Sequence, residues 1–176
     1  MTISEAIAKL DRVEGLLRGG ANNIVAAAGA DTAAAIADRV INKGLSADGT
    51  LFSAYSTKPV PAFWYTGRSR NGSGEAKIKA AAKKKEGVSY KQFREFNNLP
   101  GAPKNFSFTN EMWRGFGVKQ ATFDGGRYIL VIGGKTKVSQ ERIEWMGGQE
   151  GRSIIEPNET ELNILARVIT EKVING

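Results

Sequence analysis

The chain contains no cysteine and no histidine among its 176 residues. Without cysteine there are no disulfides, thiolate nucleophiles or sulfur-ligated metals. Without histidine the commonest general base near neutral pH and the commonest metal ligand are both missing, so histidine triads and most zinc sites are excluded. What chemistry remains must come from carboxylates, lysine, hydroxyls or tyrosine. Long apolar runs are also missing: no stretch approaches the roughly 18 consecutive apolar residues of a membrane span. The start, Met1-Thr2-Ile3-Ser4-Glu5, has no basic stretch leading into an apolar core, so no signal peptide is expected and a cytoplasmic site of synthesis is. For that reason the matches to a glycosylation acceptor at Asn71, Asn105 and Asn158 carry little weight.

What is present is a 41% hydrophobic chain of single-domain length. Its formal charge of +7 is unevenly distributed. Between Gly67 and Glu95 there are nine Lys/Arg against three Asp/Glu, and the remainder is close to balanced. A Gly-, Ser- and Lys-rich segment of this kind reads as an arm drawn to polyanions or to an acidic protein surface.

Thr2 with Glu5 matches a capping box, and Ile3, Ala6, Ile7, Leu10, Val13, Glu14 and Leu17 follow helical spacing, so a first helix to about Arg18 is predicted, broken by Gly19-Gly20. Ala21 to Lys43 reads as a second helix. Ile24, Ala28, Ile36, Val40 and Ile41 make its apolar stripe, Asp31, Asp38 and Arg39 its wetter side, and Gly44 its cap. Residues 45–103 look turn-rich and irregular, with Asp48-Gly49 a turn and Pro59 and Pro61 opposing regular pairing. Within them Glu75 to Glu86 suggests a basic helix. Asn105 to Thr109 alternates like a strand, and Phe116 to Phe123, Asp124-Gly125-Gly126 and Arg127 to Ile132 read as a hairpin. Ser139 to Met146 suggests a short helix ended by Gly147-Gly148. Asn158 with Glu161 opens a last helix whose apolar face is Leu162, Leu165, Val168, Ile169 and Val173. The fold class expected is α+β: an antiparallel sheet with helices on one face, plus a long extended arm. It forms one domain over 1–176, divided into helices (1–43), basic arm (45–103) and hairpin with C-terminal helix (104–176).

Several motifs invite a chemical reading and do not sustain it. Gly133-Gly134-Lys135-Thr136 follows a strand, but a phosphate loop needs glycine five positions before Gly134, where Ile129 stands inside the strand. Gly115-Phe116-Gly117 lacks the third glycine of a dinucleotide fingerprint and precedes a strand rather than a helix. Asp31 with Asp38, and Glu141 with Glu144, have the pattern of solvated helix faces. The basic residues Arg68, Arg70, Lys77, Lys79, Lys83, Lys84 and Lys85 have three readings: a solvated loop, contact with an acidic partner, or contact with nucleic-acid phosphates. In the last, Trp64, Tyr65 and Tyr90 would stack on bases. Trp113 and Trp145 read as core or interface anchors.

The order of segments then carries a resemblance. Ile36-Ala37-Asp38-Arg39-Val40-Ile41 is followed by Gly49-Thr50-Leu51-Phe52-Ser53-Ala54-Tyr55-Ser56 and by Tyr90-Lys91-Gln92-Phe93-Arg94. Next come Asn105-Phe106-Ser107-Phe108-Thr109-Asn110-Glu111-Met112-Trp113, a hairpin, Gly151-Arg152-Ser153-Ile154-Ile155 and a terminal helix. This resembles the small tailed-bacteriophage virion-morphogenesis proteins, the tail-completion or neck group between head and tail. Asn110 stands where that group usually has glycine, a replacement that asparagine's tolerance of left-handed backbone permits. Ser153-Ile154 stands in place of Pro-Phe. The resemblance, over about Asp31 to Ile174, implies a ring subunit of the virion neck, assembled in the host cytoplasm, without catalytic site, cofactor or metal.

On that reading Leu51, Phe52, Phe63, Trp64, Tyr65 and Trp113 are interface anchors. Arg68, Arg70, Lys77, Lys83, Lys84 and Lys85 give electrostatic registry against copies of the chain, other junction proteins on the portal or tail-tube side, or passing DNA. The alternative is a nucleic-acid-binding accessory protein that uses 67–95.

Overall fold

The computed structural model describes residues 15, 20–107, 110–124 and 127–175. The expected first helix lies almost wholly outside them, as do Phe108, Thr109 and the hairpin tip at Gly125 and Gly126.

Helix α1, Ala21–Asp38, is the spine. One side packs on the hairpin β3 (Phe116–Asp124) and β4 (Arg127–Gly134), and another packs on α6 (Glu159–Asn175). Its small residues allow this closeness: a Cβ added at Gly29 would stand 2.5 Å from Leu130 Cδ1 and 2.9 Å from Val118 Cγ2. The buried Thr32 hydroxyl is satisfied by donating to Ala28 O at 2.9 Å. The helix widens into a π-turn over Arg39–Lys43 and stops at Gly44, whose φ of 64° suits a glycine cap.

Arg39, expected on the wet side, is buried. Its Nε donates to Glu161 Oε1 at 2.7 Å, and its Nη atoms donate to Glu161 Oε2, Leu45 O and Glu156 O. Glu161 is also the reciprocal partner of Asn158 in the cap of α6, as the sequence predicts. The buried face of α6 accordingly starts at Glu161 and continues through the half-buried Ile164, Leu165 and Val168, while Leu162 points to solvent.

The hairpin forms as predicted. It is antiparallel, with Val118 opposite Ile132 and Thr122 opposite Ile129, and its register shifts between Val118 and Gln120. One face rests on α1, in agreement with an α+β fold that has helices on one side of its sheet. From β4 the chain turns through Lys135 and Thr136 into α5, Lys137–Glu150. Thr136 caps that helix through Ser139 N at 3.1 Å, and Gln140 Oε1 takes the Gly134 N–H at 3.0 Å, so Gly133-Gly134-Lys135-Thr136 is a strand-to-helix turn. Helix α5 runs past Gly147-Gly148, where a stop was expected, and is capped by Gly151 at φ 66°.

The segment 45–103, expected as an irregular arm, is largely folded. It contains β1 (Pro59–Pro61), a 3₁₀ turn (Ala62–Tyr65), α2 (Gly72–Lys83), β2 (Gly87–Ser89) and α3 (Tyr90–Phe96). Strands β1 and β2 pair antiparallel despite the two prolines, a placement that short edge strands permit. These elements close over a small core of their own: Ala62, Ile78, Ala81, Val88 and Phe93. A predominantly polar composition concealed that nucleus because a few side chains suffice to make it.

The larger core joins Ala33, Ile36, Val40, Phe52, Phe106, Met112, Phe116, Ile143 and Ile154. Asn105 to Ser107, expected as a strand, is buried irregular chain with Phe106 at φ 52°. The side chains of Tyr55, Asn105 and Arg94, rather than a neighbouring strand, satisfy its backbone. Asn110, with φ 57°, adopts the left-handed conformation and leads into the single turn α4, Glu111–Arg114.

Candidate partner-binding cleft

Between the two cores runs a cleft of about 440 Å³ lined mainly by apolar surface. Its wall on the 45–103 side comes from Tyr55, Tyr90 and Arg94. Helix α3 is fixed there by a capping box, in which Gln92 N donates to Ser89 Oγ at 3.2 Å and Ser89 N to Gln92 Oε1 at 2.9 Å. That start sends Phe93 into the small core and Arg94 toward the junction of the two cores.

Arg94 is 1% exposed. Nε donates to Pro100 O at 2.9 Å, Nη1 to Ser107 O at 3.2 Å and Nη2 to Asn105 Oδ1 at 2.9 Å. Its guanidinium lies 4.1 Å from the centre of the Tyr55 ring. The Tyr55 hydroxyl accepts from Asn105 N at 3.3 Å and Phe106 N at 3.0 Å, and donates to Asn105 Oδ1 at 3.2 Å. Burial pushes the Tyr55 hydroxyl pKa up in spite of the Arg94 charge. Among the described residues no carboxylate stands within ion-pair distance of Arg94: all three of its acceptors are neutral.

Helix α5 forms the opposite wall with Arg142, Trp145, Met146 and Gln149, and Phe106 and Met112 also line the cleft. The other two cations are already paired. Lys104 meets Glu150 at 2.7 Å, where Ser53 Oγ also donates at 2.8 Å, and Arg142 meets Glu111 at 2.7 Å. Burial raises the Glu150 pKa, but the hydrogen bonds from Lys104 and Ser53 more than reverse that, so its carboxyl sits below the usual range. Trp145 stands at the rim, 61% exposed.

Of the anchors expected from the sequence, Leu51, Phe63 and Trp64 are exposed, as a docking side chain must be. Phe52 is not an interface anchor: at 3% exposure it belongs to the large core, edge-on to Phe106 at 4.9 Å. Its segment reads from the sequence as turn-rich and irregular, which does not fix a side chain in or out of the core, and the Phe106 contact decides. Tyr65 is half-buried and stacked on Phe93 at 4.4 Å, so its ring is engaged within the chain. Trp113 is half-buried against Phe116, and its buried Nε1 has no hydrogen-bond partner among the described residues.

The basic residues Arg68, Arg70, Lys77, Lys83, Lys84 and Lys85 are all exposed. Lys77 covers the Phe96 ring at 5.7 Å. Phe63 and Lys85 share a second groove with Pro59, Val60 and Pro61. None of these expected residues lines the main cleft. No local pattern joins its makers, Tyr55, Arg94, Lys104, Arg142 and Trp145, because they come from several separate segments of the chain; Trp145 is the one expected from the sequence as a core or interface anchor.

No group of three or more Asp or Glu residues that could hold a metal ion occurs among the described residues, and none of their helices is long and apolar enough to cross a membrane. The chain matches no protein-family model, and neither a curated protein nor a solved structure is significantly similar to it.

Proposed function

We propose that this protein is a structural component of the tailed-phage head–tail junction, a neck or tail-completion subunit that works by assembling with copies of itself and with adjoining junction proteins rather than by catalysis. The supporting observation is the outer face of the hairpin. Strands β3 and β4 pair only with each other among the described residues, and α1 covers one face. On the other face Ile129 and Val131 are 44% and 39% exposed. A two-stranded sheet with open edges and an uncovered apolar face is a ready surface for a neighbouring subunit. The exposed Leu51, Phe63 and Trp64 extend the same theme to other parts of the surface.

Sedimentation of the full chain tests this reading, together with a search for it in purified particles of the virus that encodes it. The expected result is a closed oligomer that Ile129→Lys with Val131→Lys reduces to a folded monomer. A chain that is monomeric at high concentration and missing from the particles overturns it.

A second reading, a nucleic-acid-binding accessory role, is favoured by one observation: Phe63 and Lys85 line a common groove next to the exposed Lys83 and Lys84. A steep loss of DNA affinity with rising salt would support it, since each phosphate contact releases counterions. No binding at low salt disposes of it.

A further inference from the structure

We infer that the cleft between the two cores is a docking site for a short segment of a partner protein that carries one carboxylate beside apolar side chains. The inference stands on the cleft itself and does not require the junction reading.

Charge fixes the sign and the number of the anionic groups. Among the described residues three cations line the cleft, but Lys104 and Arg142 already hold Glu150 and Glu111 at 2.7 Å each. Arg94 alone faces only neutral acceptors, although it is 1% exposed. Its three hydrogen bonds use Nε and one proton each on Nη1 and Nη2, which leaves two of the five guanidinium N–H donors without a partner among the described residues. A buried guanidinium without a counter-ion is costly, and a carboxylate brought to it forms a charge-assisted hydrogen bond shielded from solvent. A doubly charged phosphate suits the cleft less well, because Glu150 and Glu111 stand in the neighbourhood and only one cation is uncompensated.

The remainder of the ligand follows from the walls. Phe106, Met112 and Met146 offer apolar contact, and methionine adapts to varied shapes. The volume of about 440 Å³ is in the range of sites that take a few side chains. Trp145 at the rim, 61% exposed, is of the residue type that contributes most at protein interfaces. A peptide segment with an Asp or Glu flanked by an aromatic or aliphatic residue meets all three conditions.

The test uses the full chain and two capped hexapeptides, one with an aspartate between phenylalanine and leucine and one with asparagine in its place. Binding is followed by calorimetry and by the indole N–H resonance of Trp145, distinguished from those of Trp64 and Trp113. The aspartate peptide is expected to bind about tenfold or more tightly than the asparagine peptide and to shift the Trp145 signal. Trp145→Ala, a surface change, is expected to weaken both peptides while the ratio between them stays. Arg94→Gln, where circular dichroism shows it folded, is expected to erase the ratio.

Failure of the aspartate peptide to bind, equal binding of the two peptides, or unaltered affinity in Trp145→Ala overturns the proposal. So does displacement of the peptide by inorganic phosphate at lower concentration than by acetate. If the saturating peptide breaks up the protein's own oligomer, the occupant is a second copy of this chain, and the partner-protein assignment fails.

Discussion

Arg39 and Glu161, 122 positions apart in the chain, meet at 2.7 Å with side chains only 6% and 4% exposed. The pair fastens the end of the central helix to the first turn of the last one. Removing one member leaves an uncompensated charge in the interior, so Arg39→Met or Glu161→Gln is expected to cost about 3–5 kcal/mol. The double replacement Arg39→Met with Glu161→Gln should cost less than the sum of the two single changes. Urea midpoints of the four proteins, with their slopes, provide the check.

Gly29 marks the closest approach of α1 to the hairpin. Gly29→Val would force its branches into Leu130 and Val118, whose atoms already stand 2.5 and 2.9 Å from a notional Cβ. Overpacking of this kind costs about 1–3 kcal/mol. Gly29→Ala is expected to be milder, since the Leu130 methyl group can swing and alanine favours the helix. Thermal melts of the two variants should fall in that order.

Adjacent residues Leu51 and Phe52 have opposite fates. Phe52→Ala should destabilise the chain by about 3–5 kcal/mol because it empties part of the large core. Leu51→Ala, at a side chain 62% exposed, should change stability by no more than about 0.5 kcal/mol. If Leu51 is an interface anchor, that variant instead weakens assembly, which sedimentation reads separately from stability.

Acid should weaken the fold through Glu150 and Asp48. Both carboxyls lie below their ordinary values of 4.5 and 3.8: Glu150 through Lys104 and Ser53, which outweigh its burial, and Asp48 through the Ser46 hydroxyl and the Thr50 N–H and hydroxyl. A depressed folded-state pKa means that the stabilisation is complete above the unfolded value and is lost as pH falls through the folded one. The urea midpoint should therefore hold steady near neutrality and decline from about pH 5 downward. Glu150→Gln should flatten the first part of that decline; Asp48 continues it to more acidic pH.

Much of this was legible along the chain wherever the signal was local. The spacing of Ile24, Ala28, Ile36 and Val40, the cap at Gly44, the β-type runs of the hairpin from Phe116 to Ile132 and the Asn158–Glu161 box each concern residues close together in the chain, and each forms as expected. Asn110 likewise takes the left-handed backbone expected of it. Misreadings cluster where a side chain answers to something distant. Arg39 looked solvated until Glu161 arrived from the other end, and Asn105 to Ser107 alternated like a strand but is held by Tyr55 and Arg94 instead.

The sequence by itself determined the exclusions and the elements: no thiol or imidazole chemistry, a central small-residue helix, a hairpin and a basic stretch. These depend on composition and on short-range periodicity, which are properties of neighbours in the chain. Only the tertiary structure decided that the basic stretch closes over its own core, that Phe52 turns inward while Leu51 stays out, and that Arg94 is buried beside the cleft with no carboxylate within ion-pair distance among the described residues. Burial and charge pairing are set by which surfaces meet, and no spacing along the chain encodes that.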